Sequence, residues 1–331
     1  MQMRPLGRTG VQVSALGFGC MGLIGWYGVR DDAEATATLL AAVDAGLTHF
    51  DTAQSYQNGA NEQFVGTVLA NALKSRRERI FLASKYGITR DAQGAMVIDN
   101  QPAALRTAVD LSLTRLGVEH IDLYYLHRID QRVPIEESVG QLAEMVRAGK
   151  IRHIGLSECS SATLRRAHAV HPIAAVQNEY SLWVRDPEAG VLGVCRELGV
   201  GLVAYSPLGR GFLAGDFRRT EDLPADDARR NQPRFQAAAG AHNLQLVDAL
   251  RDCAAQKRCT VAQLAIAWVL HQGSDVLPIP GTKKRARLSE NLGALQVTLS
   301  PTECAELGAL VSRIGVLGDR HPPAMMKVLN G

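Results

Sequence analysis

One rhythm runs through almost the whole chain. A short apolar run ends in a polar residue, and a segment with apolar residues at three- and four-residue spacing follows. A glycine-rich run, residues 16–22, opens the series. The later runs are 47–50 before Asp51, 79–84 before Lys85, 120–126 before His127 and 151–156 before Ser157. Three more are 174–176 before Gln177, 201–204 before Tyr205 and 275–279 before Gly281. The intervening segments read as helices: Leu39, Leu40 and Val43 behind a cap at Asp31 or Asp32; Val65, Val68, Leu69 and Leu73; Leu105, Val109, Leu113 and Leu116 after Pro102; and Ile135, Val139, Leu142 and Val146, stopped by Gly149. Strands that alternate with helices and are apolar throughout suit a parallel sheet covered by helices. Eight such units predict an α/β fold of the (β/α)8 TIM-barrel type rather than a doubly wound sheet, with residues 1–331 as one domain.

Three departures from the rhythm are legible. Residues 3–15 predict an N-terminal β-hairpin turning at Arg8-Thr9-Gly10, placed to plug the lower end of the barrel. Residues 209–242 are rich in Gly, Arg and Asp with little periodicity. So long a loop after the seventh strand predicts a lid or clamp for cofactor and substrate. Capping-box patterns at Thr260 to Gln263 and Ser300 to Glu303, the second with Pro301 at the first helical position, predict helices beyond the basic units, including extra C-terminal ones.

Composition narrows the function classes. The 331 residues are 46% hydrophobic and 21% charged, which excludes disorder. A net charge of +3, with basic residues dispersed apart from a short cluster at Lys283, Lys284, Arg285 and Arg287, argues against nucleic acid as a partner. Six scattered cysteines without CxxC pairs argue against disulfides and bound metal and for a reducing compartment. No apolar run is long enough for a membrane span, and no signal peptide is visible, so a cytoplasmic protein is expected.

A parallel barrel gathers its strand ends on one face, so Asp51, Tyr56, Lys85 and His127 are expected to meet there. Each alone has an ordinary reading as a turn residue, loop aromatic, solvated lysine or core histidine. Together they make a chemical set. A tyrosine titrates near 10 and is a poor proton donor unless a neighbouring ammonium stabilises its phenolate. A carboxylate keeps that ammonium charged, and an imidazole opposite can hydrogen-bond a carbonyl oxygen. This is equipment for general acid–base work on a carbonyl. A Schiff-base lyase on Lys85 is the alternative chemistry.

The ordered motifs resemble those of the aldo-keto reductases. They are Phe50-Asp51-Thr52-Ala53 with Tyr56, Ser84-Lys85, Asp122 to His127, Ile154 to Ser157, Gln177 to Ser181, Tyr205 to Gly211 and Ile279 to Lys283. His127-Arg128 and Gly155 to Glu158 are most similar to a microbial and plant branch that includes perakine reductase. The resemblance implies carbonyl reduction with NADPH, with Tyr56 as proton donor assisted by Lys85, Asp51 and His127. It also implies that Ser157 and Gln177 bind the nicotinamide carboxamide, that Tyr205 stacks on its ring, and that the backbone of Ser206, Pro207, Leu208, Gly209 and Gly211 holds the pyrophosphate. Thr282, Lys283 and Arg287 are assigned to the 2′-phosphate, and Glu290 and Asn291 to the adenine. Met21, Asp51 and Gly281 complete the cofactor set. Trp26, Tyr27 and Arg128 are candidate substrate residues. Cys20 and Cys159 are expected to be inert, and Glu158 departs from the asparagine many relatives carry. Potassium-channel β subunits share these motifs, so a cofactor-binding regulatory subunit is the second functional reading.

Overall fold

The structure, a computed structural model, describes residues 1–215 and 219–329. In chain order the regular elements are β1 (Met3–Pro5), β2 (Gln12–Ser14), β3 (Phe18–Gly19), α1 (Asp32–Asp44), β4 (His49–Asp51), α2 (Ala60–Ser75), β5 (Phe81–Tyr86), β6 (Ile88–Arg90), β7 (Met96–Ile98) and α3 (Pro102–Leu116). They continue with β8 (Ile121–Leu126), α4 (Ile135–Arg147), β9 (Ile151–Ser157), α5 (Ser161–Val170), β10 (Ile173–Glu179), α6 (Val191–Leu198) and β11 (Gly201–Tyr205). The last are α7 (Ala237–Gln256), α8 (Val261–Leu270), β12 (Val276–Pro278), α9 (Arg285–Gly293), α10 (Pro301–Ile314) and α11 (Pro323–Met326).

Eight parallel strands form one sheet in the order β12-β11-β10-β9-β8-β5-β4-β3. Its two ends meet: the Gly17 N–H donates to the Pro278 carbonyl at 2.9 Å and the Gly19 N–H to the Pro280 carbonyl at 3.3 Å. The seam is tight enough to require glycine, since a Cβ on Gly281 would stand 2.5 Å from the Gly19 carbonyl oxygen. The sheet thus curls into the expected (β/α)8 barrel.

Strand alternation separates two cores. Along β4, His49 and Asp51 point inward while Phe50 packs outward among the helices; along β8, Leu123 and Tyr125 point inward while Leu126 and Tyr124 face the helices. The outer core takes the predicted helix faces, including Leu39, Val65, Leu69, Leu105, Val109, Val139 and Leu142. Full burial of each such side chain contributes roughly 1.5–3 kcal/mol. The N-terminal hairpin pairs β1 with β2, and its Leu6 and Val13 join the inner cluster. Arg8 N–H donates to the Gly199 carbonyl at the N-terminal end of β11, so the hairpin does close the lower end.

The helix caps follow the sequence. Asp31 accepts from the Glu34 N–H, and Thr260 and Ser300 both form complete capping boxes. Strand ends run further than the apolar runs suggest. Asp51, Lys85, Ser157, Gln177 and Tyr205 lie within strands rather than after them, because the ladders Gly19↔Asp51, Lys85↔Tyr125, Ser157↔Gln177 and Glu179↔Tyr205 continue through them. A neighbouring strand, which local periodicity cannot show, decides where a ladder stops.

Two elements depart from expectation. A small antiparallel hairpin, β6–β7, fills the connection after Lys85. The irregular segment after β11 ends earlier than 242, since α7 already starts at Ala237; Ala238, Ala239 and Ala241 are strong helix formers that carry little amphipathic signal. Within that segment three short 3-10 turns follow Gly215, while residues 216–218 lie outside the described residues. Among the described residues no helix is long and apolar enough to cross a membrane.

Candidate active site

The C-terminal ends of β4, β5, β8 and β10 converge around one buried lysine. Lys85 is fully buried, and its Nζ is bonded to Asp51 Oδ1. The same ammonium donates to the Thr52 carbonyl at 2.8 Å and lies 3.4 Å from the Tyr56 hydroxyl. Asp51 is anchored on its other oxygen by Gln177, whose Nε2 donates at 2.9 Å. Tyr56 opens a 3-10 turn, Tyr56–Gly59, in which Gln57 and Asn58 both adopt left-handed backbone. The turn is held down from below: Thr52 Oγ1 donates to Asn61 Oδ1 at 2.7 Å, and Asn61 Nδ2 donates to the Cys20 carbonyl at 2.9 Å.

His127, just past β8, packs edge-on against the Tyr56 ring with centroids 5.7 Å apart. Its Nδ1 pairs with Ser55 Oγ at 3.2 Å. The four residues expected to meet are therefore together, and Ser55, to which sequence reasoning assigned nothing, orients the imidazole.

The electrostatics have identifiable causes. Burial works against the Lys85 charge, but Asp51 and Tyr56 outweigh it and hold its pKa above the ordinary value. Burial, with Arg128 and Lys85 adding to it, holds His127 well below the usual histidine range, so its ring is neutral. The Tyr56 phenol contradicts the simple expectation that Lys85 lowers its pKa. Burial pushes it up by more than the Lys85 charge pulls it down, so the phenol stays protonated at neutral pH. Cys20 and Cys159 are buried and their thiols are pushed up by burial, as inert cysteines should be.

The expected cofactor residues lie on the same face, several of them already engaged. Ser157 Oγ accepts from Arg128 Nη1 at 3.3 Å, and the same nitrogen donates to the His127 carbonyl at 2.7 Å. Arg128 is buried, and its Nε has no hydrogen-bond partner among the described residues. The stretch Ser206 to Gly211 has left-handed backbone at Ser206, Gly209, Arg210 and Gly211. There the Gly209 N–H closes onto the Ser206 carbonyl at 2.8 Å and the Gly211 N–H onto Leu208 at 3.0 Å, so those two amides serve the turn itself. Pro207 is buried and Leu208 half-buried beside them. Met21, half-buried, follows Cys20, whose N–H donates to the Asp51 carbonyl at 2.8 Å.

The basic cluster divides. Arg285 pairs with Glu34 of α1 at 2.8 Å, and Arg287 Nη1 donates to Glu290 at 2.7 Å. Lys283 reaches the first βα loop, where its Nζ donates to the Tyr27 carbonyl and, at 3.1 Å, to the Gly28 carbonyl. That loop is also tied to the segment after β11: the Gly28 N–H donates to Asp227 at 2.9 Å, and the Arg229 guanidinium lies 5.2 Å from the centre of the Tyr27 ring. Asn291 is buried at this end, and Thr282 caps the Lys284 N–H at 3.2 Å. Trp26 is exposed, with φ at +72°.

Sequence reasoning missed a second charged layer behind the site. Glu158 pairs with Arg320 at 2.7 Å, and Glu179 with Arg210 at 2.9 Å. Arg320 comes from the segment between α10 and α11, which has no periodicity, so nothing local announces its position.

The family profile described as the aldo/keto reductase family matches residues 15–312. The protein named aldo-keto reductase yakc [NADP(+)] of Schizosaccharomyces pombe is 45% identical over 315 residues, covering 94% of this chain and 92% of that one. The glycerol dehydrogenase AKR11B4 structure from Gluconobacter oxydans superposes with a TM-score of 0.84 at 30% identity, covering 94% of this chain and 95% of the other. A thermostable aldo-keto reductase, Tm1743, solved with the inhibitor epalrestat, gives a TM-score of 0.73 at 30% identity, covering 94% of this chain and all of that one. With the profile spanning the barrel and its strand-end motifs, this chain belongs to the aldo/keto reductase family.

Proposed function

We propose that the protein is an NADPH-dependent oxidoreductase that reduces aldehydes or ketones to alcohols, or runs the reverse oxidation, with the barrel as its one domain. The observation that carries this reading is the Lys85 ammonium, shared among Asp51, the Thr52 carbonyl and the Tyr56 hydroxyl. The name of the Schizosaccharomyces pombe relative, which specifies NADP(+), supports the choice of cofactor. The donor set at the strand ends fits a nicotinamide: Ser157 Oγ, the Gln177 amide and the partnerless Arg128 Nε lie beside the tetrad. At the other end Thr282, Lys283 and Arg287 supply cations and a hydroxyl for a 2′-phosphate, with Glu290 and Asn291 beyond them.

When bound, the nicotinamide cofactor supplies the hydride. The chain's own residues handle the proton. His127, neutral and with Nδ1 held by Ser55, has Nε2 free to hydrogen-bond the carbonyl oxygen and orient it. Tyr56, protonated at neutral pH, gives its phenolic proton to the oxygen as the alkoxide forms. The Lys85 ammonium then faces the phenolate left behind, and Asp51 keeps that ammonium charged. Charge develops next to preorganised donors in a dry site, where such stabilisation is largest. The Schiff-base alternative needs a neutral lysine amine, whereas Asp51 and Tyr56 favour the ammonium.

The deciding experiment is NADPH consumption across a panel of aldehydes and ketones, repeated with NADH. Reduction of several carbonyls, faster with NADPH, is expected. Tight NADPH binding with no turnover on any member would sink the enzyme reading and favour the regulatory-subunit one.

A further inference from the structure

Glu158 stands immediately after β9, next to Ser157. Its backbone is left-handed, with φ at +54°, a conformation that strains a non-glycine residue. This geometry turns the carboxylate inward, where it is buried and fully engaged. Oε1 accepts from the Glu179 N–H at 2.9 Å, from the Tyr205 hydroxyl at 2.8 Å and from Arg320 Nη1 at 3.2 Å. Oε2 accepts from Arg320 Nη2 at 2.7 Å.

Its neighbours form a continuous brace. Arg320 is itself buried, and its Nε approaches Asp186 at 3.7 Å. The next residue, His321, lies 3.5 Å from Glu179 and 3.3 Å from Arg210, the arginine of the turn that follows Tyr205. The C-terminal segment thereby touches the ends of β9 and β10 and the turn that follows Tyr205. The hydroxyl oxygen lies on the long axis of the tyrosine ring, so a bond there fixes where that axis points, which the first torsion otherwise sets.

We propose that Glu158 is a positioning residue of the nicotinamide site: with Arg320 it pins the Tyr205 hydroxyl, fixes the direction of the ring's long axis and so where the ring lies, and makes the segment around Arg320 part of the cofactor site. This rests on the reading above, in which the Tyr205 ring covers the nicotinamide. The binding surface is then rigid before the cofactor arrives, which is how a supporting layer sharpens a site.

The test uses the full chain and four variants: Tyr205→Phe, Glu158→Gln, Arg320→Met and the Tyr205→Phe/Glu158→Gln double. NADPH dissociation constants come from fluorescence titration, and thermal melting monitors folding. The fidelity of deuterium transfer from NADPH labelled on one face of C4 reports whether the ring still holds the nicotinamide in one orientation. Tyr205→Phe, which removes one oxygen and keeps the ring, should weaken NADPH binding about fivefold and leave the aldehyde KM within about twofold. Glu158→Gln should weaken binding at least as much and lower the transfer fidelity. The double variant should be no more than about twofold worse than Glu158→Gln, because both act through one contact.

NADPH binding within about twofold of wild type in both single variants overturns the proposal, and so do losses that multiply in the double variant. If Glu158→Gln does not fold, Tyr205→Phe with Arg320→Met gives the same decision. A wild-type chain that neither binds NADPH nor reduces carbonyls overturns the functional reading as well. Tight wild-type binding with unaffected variants overturns the brace alone.

Discussion

The Lys85 ammonium lies 3.4 Å from the Tyr56 hydroxyl oxygen, within hydrogen-bond reach, while its closest partner is the Asp51 carboxylate. One cation thus joins a buried acid to the phenol proposed as the proton donor. The expected behaviour of the site follows from that sharing.

Tyr56→Phe removes the transferable proton and little else. Turnover should fall by about 10²–10⁴, the usual scale of general acid catalysis, while the NADPH dissociation constant stays within about twofold. Steady-state rates beside a binding titration measure both. Near-normal turnover would remove Tyr56 from the mechanism.

Lys85→Met leaves Asp51 buried with Gln177 as its one side-chain partner among the described residues. Breaking a buried ion pair from one side costs about 3–5 kcal/mol, so urea unfolding should shift to markedly lower midpoints. The Lys85→Met/Asp51→Asn double variant should recover part of that loss, since no charge is stranded. A double variant less stable than Lys85→Met contradicts the pairing.

His49 lies one inward position below Asp51, fully buried, with neither ring nitrogen hydrogen-bonded among the described residues. Burial lowers its pKa to about 4. The unfolded chain, titrating near the ordinary value of about 6.5, then binds a proton that the folded chain refuses. The His49 contribution is constant above that value and is lost as pH falls from about 6.5 towards 4, at up to about 1.4 kcal/mol per pH unit. A His49→Leu variant should show a shallower acid limb in denaturation midpoints between pH 7 and 4.5; an unchanged limb would mean the ring is not buried neutral.

The barrel seam should not tolerate a methyl group. Gly281→Ala places a Cβ 2.5 Å from the Gly19 carbonyl oxygen, backbone against backbone, so the strands must part. Overpacking of this kind costs about 1–3 kcal/mol, and a lowered thermal midpoint is expected. An unchanged midpoint would show that the seam is looser than described.

Cofactor preference should reside in Lys283 and Arg287. Lys283→Met together with Arg287→Met should raise the NADPH KM about tenfold or more while changing that for NADH little, so the ratio of the two specificities falls. Lys283 also holds the Tyr27 and Gly28 carbonyls, so a rise for both cofactors alike would instead mean that it acts by fastening the first βα loop.

Legibility from sequence tracked the range of the interactions involved. Apolar spacing locates each helix face, and the caps at Thr260 and Ser300 act through contacts three residues apart, so they are legible locally, while the structure selects Asp31 over Asp32 as the cap of α1. Asp51, Lys85 and His127 announced themselves because each ends an apolar run, and a barrel places every such end on one face. The small hairpin β6–β7 and the early start of α7 gave weaker local signals, the second because alanines form helix without an apolar stripe.

By itself, then, the order of residues determined the barrel, its hairpin plug, most of its caps and which side chains reach the active face, because these depend on periodicity and on neighbours a few positions away. Only the tertiary structure decided that burial outweighs the Lys85 charge at the Tyr56 phenol, that Ser55 holds His127, and that Glu158 meets Arg320 across 162 positions of chain. Desolvation and long-range ion pairing depend on everything packed around a group, which no local stretch of sequence encodes.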